Sequence, residues 1–189
     1  MTMSLDEVAR SVGGVIVDRG SDRSPDEGRA AVKDAAATSV VSDSRRIRPG
    51  SVFVAIKGER VDGHRFVAAA GRDGAVAAIV SSPVAGADVP QIQVADTVEA
   101  LGALARHNSE RRRSCPGAFN VLGSTGSGGT TATKGVLKAL LETVDETVAP
   151  VGSFNNGIGL PRAALGVDER NRFLIAGVGA NHVGEIAHL

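Results

Sequence analysis

The sequence predicts an α/β layer fold, and three observations carry that expectation. Short apolar strands alternate with helical segments along most of the chain. Arg172-Phe-Leu-Ile-Ala176 is apolar throughout after its arginine, as a parallel strand buried on both faces should be. A Gly-rich stretch, Val121-Leu-Gly-Ser-Thr-Gly-Ser-Gly-Gly-Thr-Thr131, stands between a strand and a helix.

Each element follows from local chemistry. Ser4 is an N-cap, and Glu7 completes a capping box with it. Leu5, Val8, Ala9 and Val12 then make an apolar helical face. Gly13-Gly14 ends that helix, and Val15-Ile16-Val17 is a short strand. Residues 18–37 are polar and Ala-rich and read as a surface loop with weak helix in its second half. A strand from Thr38 runs into Asp43-Ser44-Arg45. Pro49-Gly50 then turns the chain into the strand Ser51 to Ile56. Lys57 to His64 is a polar connection. Arg65 to Arg72 is helical, with Phe66 and Val67 buried. Ala75 to Val80 is a buried strand, and Ile92 to Val94 is another. Thr97 caps a helix from Val98 to about Arg111, with Leu101 and Leu104 inward. The run Arg111-Arg112-Arg113 reads as its solvated end.

Cys115-Pro116-Gly117 marks a boundary, so the expected domains are 1–115 and 116–189. The second opens with a strand from Phe119 to Leu122 and a helix from Thr131 to Leu141. Val136, Leu137, Leu140 and Leu141 stand at helical spacing in that helix. A short strand and turn cover 145–153, and Phe154 to Pro161 is a Gly/Asn-rich loop. A short helix starts at Arg162, the apolar strand follows, and another helix begins near His182. A doubly wound sheet needs more strands than 116–189 supply, so the second domain is expected to be cut short.

Composition narrows the function classes. Among 189 residues, Lys+Arg and Asp+Glu are 21 each, so no basic excess points to nucleic acid. Cys115 is the only cysteine, which excludes an internal disulfide and a Cys/His zinc cluster and favours a reducing compartment. No apolar run approaches the ~20 residues of a membrane span. Asp6 and Glu7 near the start do not suit a signal peptide. The expected protein is cytoplasmic and monomeric, with no nucleic-acid or membrane partner.

The Gly-rich stretch reads as a phosphate loop of the pattern G-x-x-x-x-G-K-[ST] with one part missing. Gly123 opens it, Gly128 closes it, Gly129 stands in the lysine's place, and Thr130 in the Ser/Thr place. The candidate phosphate-binding residues are Thr125, Gly126, Ser127, Gly128, Gly129, Thr130 and Thr131. Glycines let successive N–H groups turn inward, and the helix that follows points its positive end at the anion. The Thr130 hydroxyl is a candidate ligand for Mg²⁺. A flexible Gly/Ser turn is the competing reading, since a lysine is what makes this motif specific.

In this order the motifs resemble the Mur ligase family over nearly the whole chain. Asp43-Ser44-Arg45, Pro49-Gly50, Phe53-Val-Ala55, Gly58-Glu59, Asp62-Gly63-His64 and Phe66 look like its UDP-substrate domain. Thr125 to Thr131, with Lys134, looks like its ATP loop, and Asn155-Asn156, Ile158-Gly159 and Pro161 look like its substrate loop. Gly179-Ala180-Asn181-His182, then Gly184-Glu185-Ile186, is similar to the branch that adds a D-alanyl-D-alanine dipeptide. The resemblance implies an ATP-dependent amide ligase of peptidoglycan synthesis using ATP and Mg²⁺. Its partners would be a UDP-N-acetylmuramoyl-peptide and D-alanyl-D-alanine. It implies Ser44, Arg45, His64, Asn155 and Asn156 as UDP-substrate contacts, and His182 near the magnesium site. Plainer readings stand beside these. Asp43-Ser44-Arg45 also fits a strand-to-turn cap, His64 a surface loop histidine, and the two asparagines left-handed backbone. His182 also fits a helix start, and Glu185 a first-turn carboxylate that suits the dipole.

The departures from the family matter equally. The loop lysine is expected at Gly129 and the magnesium-binding glutamate at Gly177. An asparagine is expected at Ser153 and a glutamate at Gly157. The rest of the ATPase domain and a dipeptide-binding domain would follow Leu189. Lys134 does not replace the missing lysine, because the family also has a lysine there and it lies about 7.5 Å further along the helix axis. The expectation is a ligase fragment with a disabled loop. The alternatives are a non-catalytic UDP-sugar-binding module with a vestigial nucleotide domain, or an unrelated nucleotide-binding α/β protein.

Overall fold

The computed structural model describes residues 2–17, 35–150, 152 and 156–179. The chain has the mixed α/β architecture with parallel sheets that the alternation predicts. It divides into two compact units, Met1–Leu104 and Ala105–Leu189, and the division falls inside the helix that precedes Cys115.

In the first unit β1 (Met3–Ser4) leads into α1 (Leu5–Ser11), where Ser4 Oγ accepts the Glu7 N–H at 3.2 Å. β2 (Val15–Val17) follows. β3 (Ala36–Ala37) pairs antiparallel with β1, so these two alanines are strand and not weak helix. Ala37 is fully buried, which the β1 pairing explains. Residues 18–34 of the predicted loop lie outside the described residues. Next come β4 (Ser39–Val41), a 3₁₀ turn at Ser44–Arg46, and β5 (Ser51–Val54). A second 3₁₀ turn at Gly63–Phe66 opens into α2 (Val67–Arg72), before β6 (Ala75–Val80) and β7 (Gln91–Gln93). The sheet order is β2-β7-β6-β5-β4. β4 to β7 run parallel, and β2 is antiparallel to β7. Every residue of β5 is buried, as a central parallel strand requires. Phe53, Val67, Ala70, Val80 and Val89 form one apolar cluster around it.

Two expectations need correction here. Phe66 is 37% exposed. It ends a 3₁₀ turn with three residues per turn, and that tighter winding carries it off the face Val67 buries. Helix α3 (Thr97–Ser114) is capped by Asp96 and not by Thr97: Asp96 Oδ1 accepts the N–H groups of Val98 at 2.6 Å and Glu99 at 3.0 Å.

The second unit contains the end of α3, then β8 (Asn120–Ser124), α4 (Thr130–Leu141), β9 (Thr147–Val148), α5 (Gly159–Leu165) and β10 (Phe173–Gly177). Its sheet order is β8-β10-β9, parallel throughout, with the apolar strand in the centre as expected. On α4, Leu137 and Leu141 share the sheet side with Lys134, but Val136 and Leu140 are 61% and 60% exposed. Those two sit further round the helix, so the predicted apolar face is only half used.

Arg112 is 6% exposed and is no solvated helix end. Its Nε donates to the Asn171 carbonyl at 2.9 Å, and its guanidinium lies 5.4 Å from the Phe119 ring centre. Asn108 Nδ2 donates to the Ala164 carbonyl at 2.9 Å and to the Val167 carbonyl at 3.0 Å. These bonds fasten α5 and the approach to β10 onto the end of α3. Asn108→Ala should cost the second unit about 1–3 kcal/mol, because buried carbonyls lose their donor. Amide exchange across Leu174–Ala176 should quicken accordingly, and exchange across β5 and β6 should not change.

Candidate functional site

The phosphate loop joins β8 to α4. The parallel register runs from Phe173↔Asn120 to Gly177↔Ser124, so Gly177 stands level with the last residue before the loop. The Val178 N–H donates to the Ser124 carbonyl at 2.9 Å and continues the pairing by one bond. The position where the resemblance expects a carboxylate is therefore beside the loop's entry. Gly177 brings no carboxylate to it.

Gly129 is the N-cap of α4, with φ +73° and ψ −5°. Its carbonyl accepts the Thr133 N–H at 2.9 Å, the first bond of the helix. Thr130 is the first residue with helical geometry. A Cβ on Gly129 would meet no atom within 4 Å, but the left-handed backbone disfavours any side chain there by roughly 1–2 kcal/mol. This geometry counts against Gly129 as a lysine's place. Gly126, Ser127 and Gly128 are exposed, so the loop's backbone can be reached by an anion. Lys134 is buried, and its ammonium donates to the Gly152 carbonyl. That bond takes it out of contention as a substitute cation for the loop.

The loop's exposed backbone suits an anion. Among the described residues no group of three or more His, Cys, Asp and Glu could hold a metal ion. His182, Asn155 and Ser153 lie outside the described residues, as do Ala180, Asn181 and the segment from Gly184 to Ile186. Asn156 is described. Its Oδ1 accepts the N–H groups of Ile158 at 3.3 Å and Gly159 at 2.9 Å, an Asx turn at the entry to α5.

The remaining candidates lie at the carboxyl-terminal edge of the first unit's parallel strands. Asp43 follows β4. Its Oδ1 accepts the Arg45 N–H at 3.1 Å and Nε–H at 2.9 Å, and its Oδ2 accepts Nη2–H at 2.8 Å. The fork uses two of the five N–H donors of the guanidinium and holds Arg45 outward beside Ser44. Past β5, the Gly63 N–H donates to the Ile56 carbonyl at 2.9 Å. A Cβ at Gly63 would sit 2.7 Å from that oxygen, so only glycine allows this approach. The approach turns His64 inward. Asp62 Oδ1 accepts the His64 N–H at 2.9 Å and lies 2.7 Å from Nδ1. Nε2 faces Ser81, the first residue after β6, with Ser81 N at 3.0 Å and Oγ at 3.2 Å. Ser81 escaped the sequence reading; its only signal was its place after a parallel strand.

A family model described as "Mur ligase family, catalytic domain" matches residues 36–109, which ends short of the phosphate loop. The UDP-N-acetylmuramoyl-tripeptide–D-alanyl-D-alanine ligase of Escherichia coli K12 is 40% identical over 148 residues, 78% of this chain and 31% of its own length. The enzyme of the same name from Mycobacterium tuberculosis H37Rv is 33% identical, over 99% of this chain and 38% of its own length. A crystal structure of MurF from Acinetobacter baumannii superposes with a TM-score of 0.82 at 31% identity, covering 100% of this chain and 38% of that one. MurF from Thermotoga maritima in complex with ADP gives 0.70 at 34% identity, covering 80% of this chain and 34% of that one. The chain thus spans only about a third of the length of these relatives.

The Asp62 carboxyl is held below the usual carboxylate range, first by the His64 backbone N–H and then by its ring. A depressed carboxylate stabilises the fold above its unfolded value, and that contribution is lost as pH falls through the folded one. Acid titration followed by carboxyl NMR should therefore show Asp62 protonating late, with the 57–66 turn loosening at that point. His64→Ala should return Asp62 only part of the way, because the backbone donor remains.

Proposed function

The chain belongs to the Mur ligase family, and on that premise we propose that it carries the UDP-substrate-binding unit and phosphate-loop unit of a dipeptide-adding ligase, with the loop disabled. The reaction is the ATP-dependent joining of D-alanyl-D-alanine to UDP-N-acetylmuramoyl-tripeptide in peptidoglycan synthesis. ATP supplies the phosphoryl group that activates the peptide's terminal carboxylate for attack by the dipeptide's amine. What falls to this chain's residues is binding. Ser44 and Arg45, together with the turn that His64 anchors, take the UDP-linked substrate at the carboxyl-terminal edge of β4 to β6. The exposed N–H groups from Gly126 to Gly129 and the start of α4 take the phosphates.

The observation that carries the reading of the loop is the left-handed Gly129. Read one place later than the glycine count first suggests, the pattern closes at Gly129, puts its cation place at Thr130 and its metal-facing hydroxyl at Thr131, with Ser124 in the place of the opening glycine. Thr130 has no charge to offer the β- and γ-phosphates, and Gly177 has no carboxylate for a metal. Phosphoryl transfer depends on neutralising that charge, so binding of nucleotide is weak and ligation is absent.

The intact first-unit set beside an emptied loop also supports a second reading, a UDP-sugar-binding module without catalysis. Titration separates the two. UDP-substrate binding with no Mg-ATP binding, even after repair of the loop, favours the module.

Thr130→Lys should raise Mg-ATP affinity roughly ten- to a hundredfold, the worth of one charge-assisted contact. Gly129→Lys should gain little, since it strains the backbone and aims outside the helix. Calorimetric titration of the two variants against the unaltered chain decides the matter. Equal gains from both, or tight binding by the unaltered chain, would remove the disabled-loop reading.

A further inference from the structure

Both ring nitrogens of His64 are committed, and this changes what the histidine can do. A backbone N–H only donates, so the 3.0 Å contact from Ser81 N makes Nε2 an acceptor. The ring proton is then on Nδ1, donating to Asp62 Oδ1 at 2.7 Å. The His64 side chain is 15% exposed, and Asp62 is 41% exposed. The histidine is the partly buried middle of a chain that starts at solvent and ends on Ser81.

Ser81 Oγ lies 3.2 Å from the same Nε2. With its hydrogen directed there, sharing the acceptor with its own N–H, the hydroxyl turns its lone pairs away from the ring. Ser81 follows β6, between the strand edges that carry the 57–66 turn and Gln93. That is the edge of a parallel sheet where ligands bind. The order Asp–His–Ser is that of a nucleophilic triad. Here, however, the serine's own N–H occupies the base's lone pair, so the histidine is not open to take a proton from Oγ.

Resting on the reading of this unit as the UDP-substrate binder, we infer that Ser81 is a specificity-determining contact of that crevice. Its hydroxyl accepts a hydrogen bond from a donor on the uridine half of the substrate, an imide N–H or a ribose hydroxyl. His64 touches no substrate. It is a positioning residue that fixes the rotamer of Ser81 through Nε2, and Asp62 fixes its tautomer.

The test is titration of the full chain with UDP, alongside ¹⁵N spectra of the imidazole. Ser81→Ala should weaken UDP binding roughly three- to tenfold, the worth of one neutral hydrogen bond, with the melting temperature unchanged. His64→Ala should weaken it comparably. His64→Gln places an amide oxygen where Nε2 stood and should recover most of the affinity. The spectra should show Nδ1 protonated and Nε2 bare at neutral pH. UDP binding that survives Ser81→Ala, or an Nε2-protonated ring, overturns this assignment alone. No UDP binding by the unaltered chain overturns the UDP reading, and the assignment with it.

Discussion

Five parallel pairs between β8 and β10 decide what the second unit can present to a phosphate. They fix Ser124, the loop's entry, level with Gly177, the end of the central strand. Everything around them serves that register. Asn108 and Arg112 hold the turns that lead into β10, and β9 closes its other side. Parallel pairing has no hairpin to set it, so the register rests on these long-range bonds and on burial of Leu174 and Ile175. The geometry of the family's nucleotide unit is thus kept, although the charged groups expected at its loop are not. Fold and charge are separable here, because strand register depends on backbone bonds and apolar contact.

The first unit shows the opposite balance. Its polar groups at the strand ends are paired with one another. Asp43 braces Arg45, and Asp62 braces His64, each through a carboxylate two residues before its partner. Such short-range pairs hold a side chain's direction at little entropic cost, because the turn already fixes the backbone. His64 adds reach. Through one ring it ties the turn after β5 to the end of β6, two adjacent strands of the sheet.

Much of this was legible in the sequence. Ser51–Val54 and Ala75–Val80 were readable as strands from their apolar runs, and the strand at Phe173–Gly177 as a parallel one because burial on both faces leaves that run unbroken. The Ser4 cap was readable because its partner is three residues away. What was hidden had a distant or conformational cause. Arg112 looked solvated because the carbonyl that buries it belongs to a residue 59 places on. Phe66 looked buried because apolar spacing does not distinguish a 3₁₀ turn from an α-helix. Ala36–Ala37 carried no strand signal, since their only reason to extend is a two-residue pairing with β1. The phosphate loop was visible as a glycine cluster. Its frame was not, because Gly128 and Gly129 are the same letter and only the sign of φ tells them apart.

On the proposed frame the two missing charges bear on one electrostatic balance. The cation place at Thr130 and the carboxylate place at Gly177 flank one loop. A carboxylate there without a metal would stand beside the phosphates as a like charge, and at short range that repulsion is worth kilocalories even with partial screening. A metal, in turn, is drawn to the loop chiefly by phosphate and carboxylate together. Once the lysine is gone, phosphate is held by backbone N–H groups and the helix end alone, a field of about half a charge. With neither group on the protein, only a threonine hydroxyl is left to meet a metal that arrives with the phosphates. The two departures therefore act in one direction: each lowers the positive charge held against the phosphates, the lysine's directly and the metal's through loss of its carboxylate anchor.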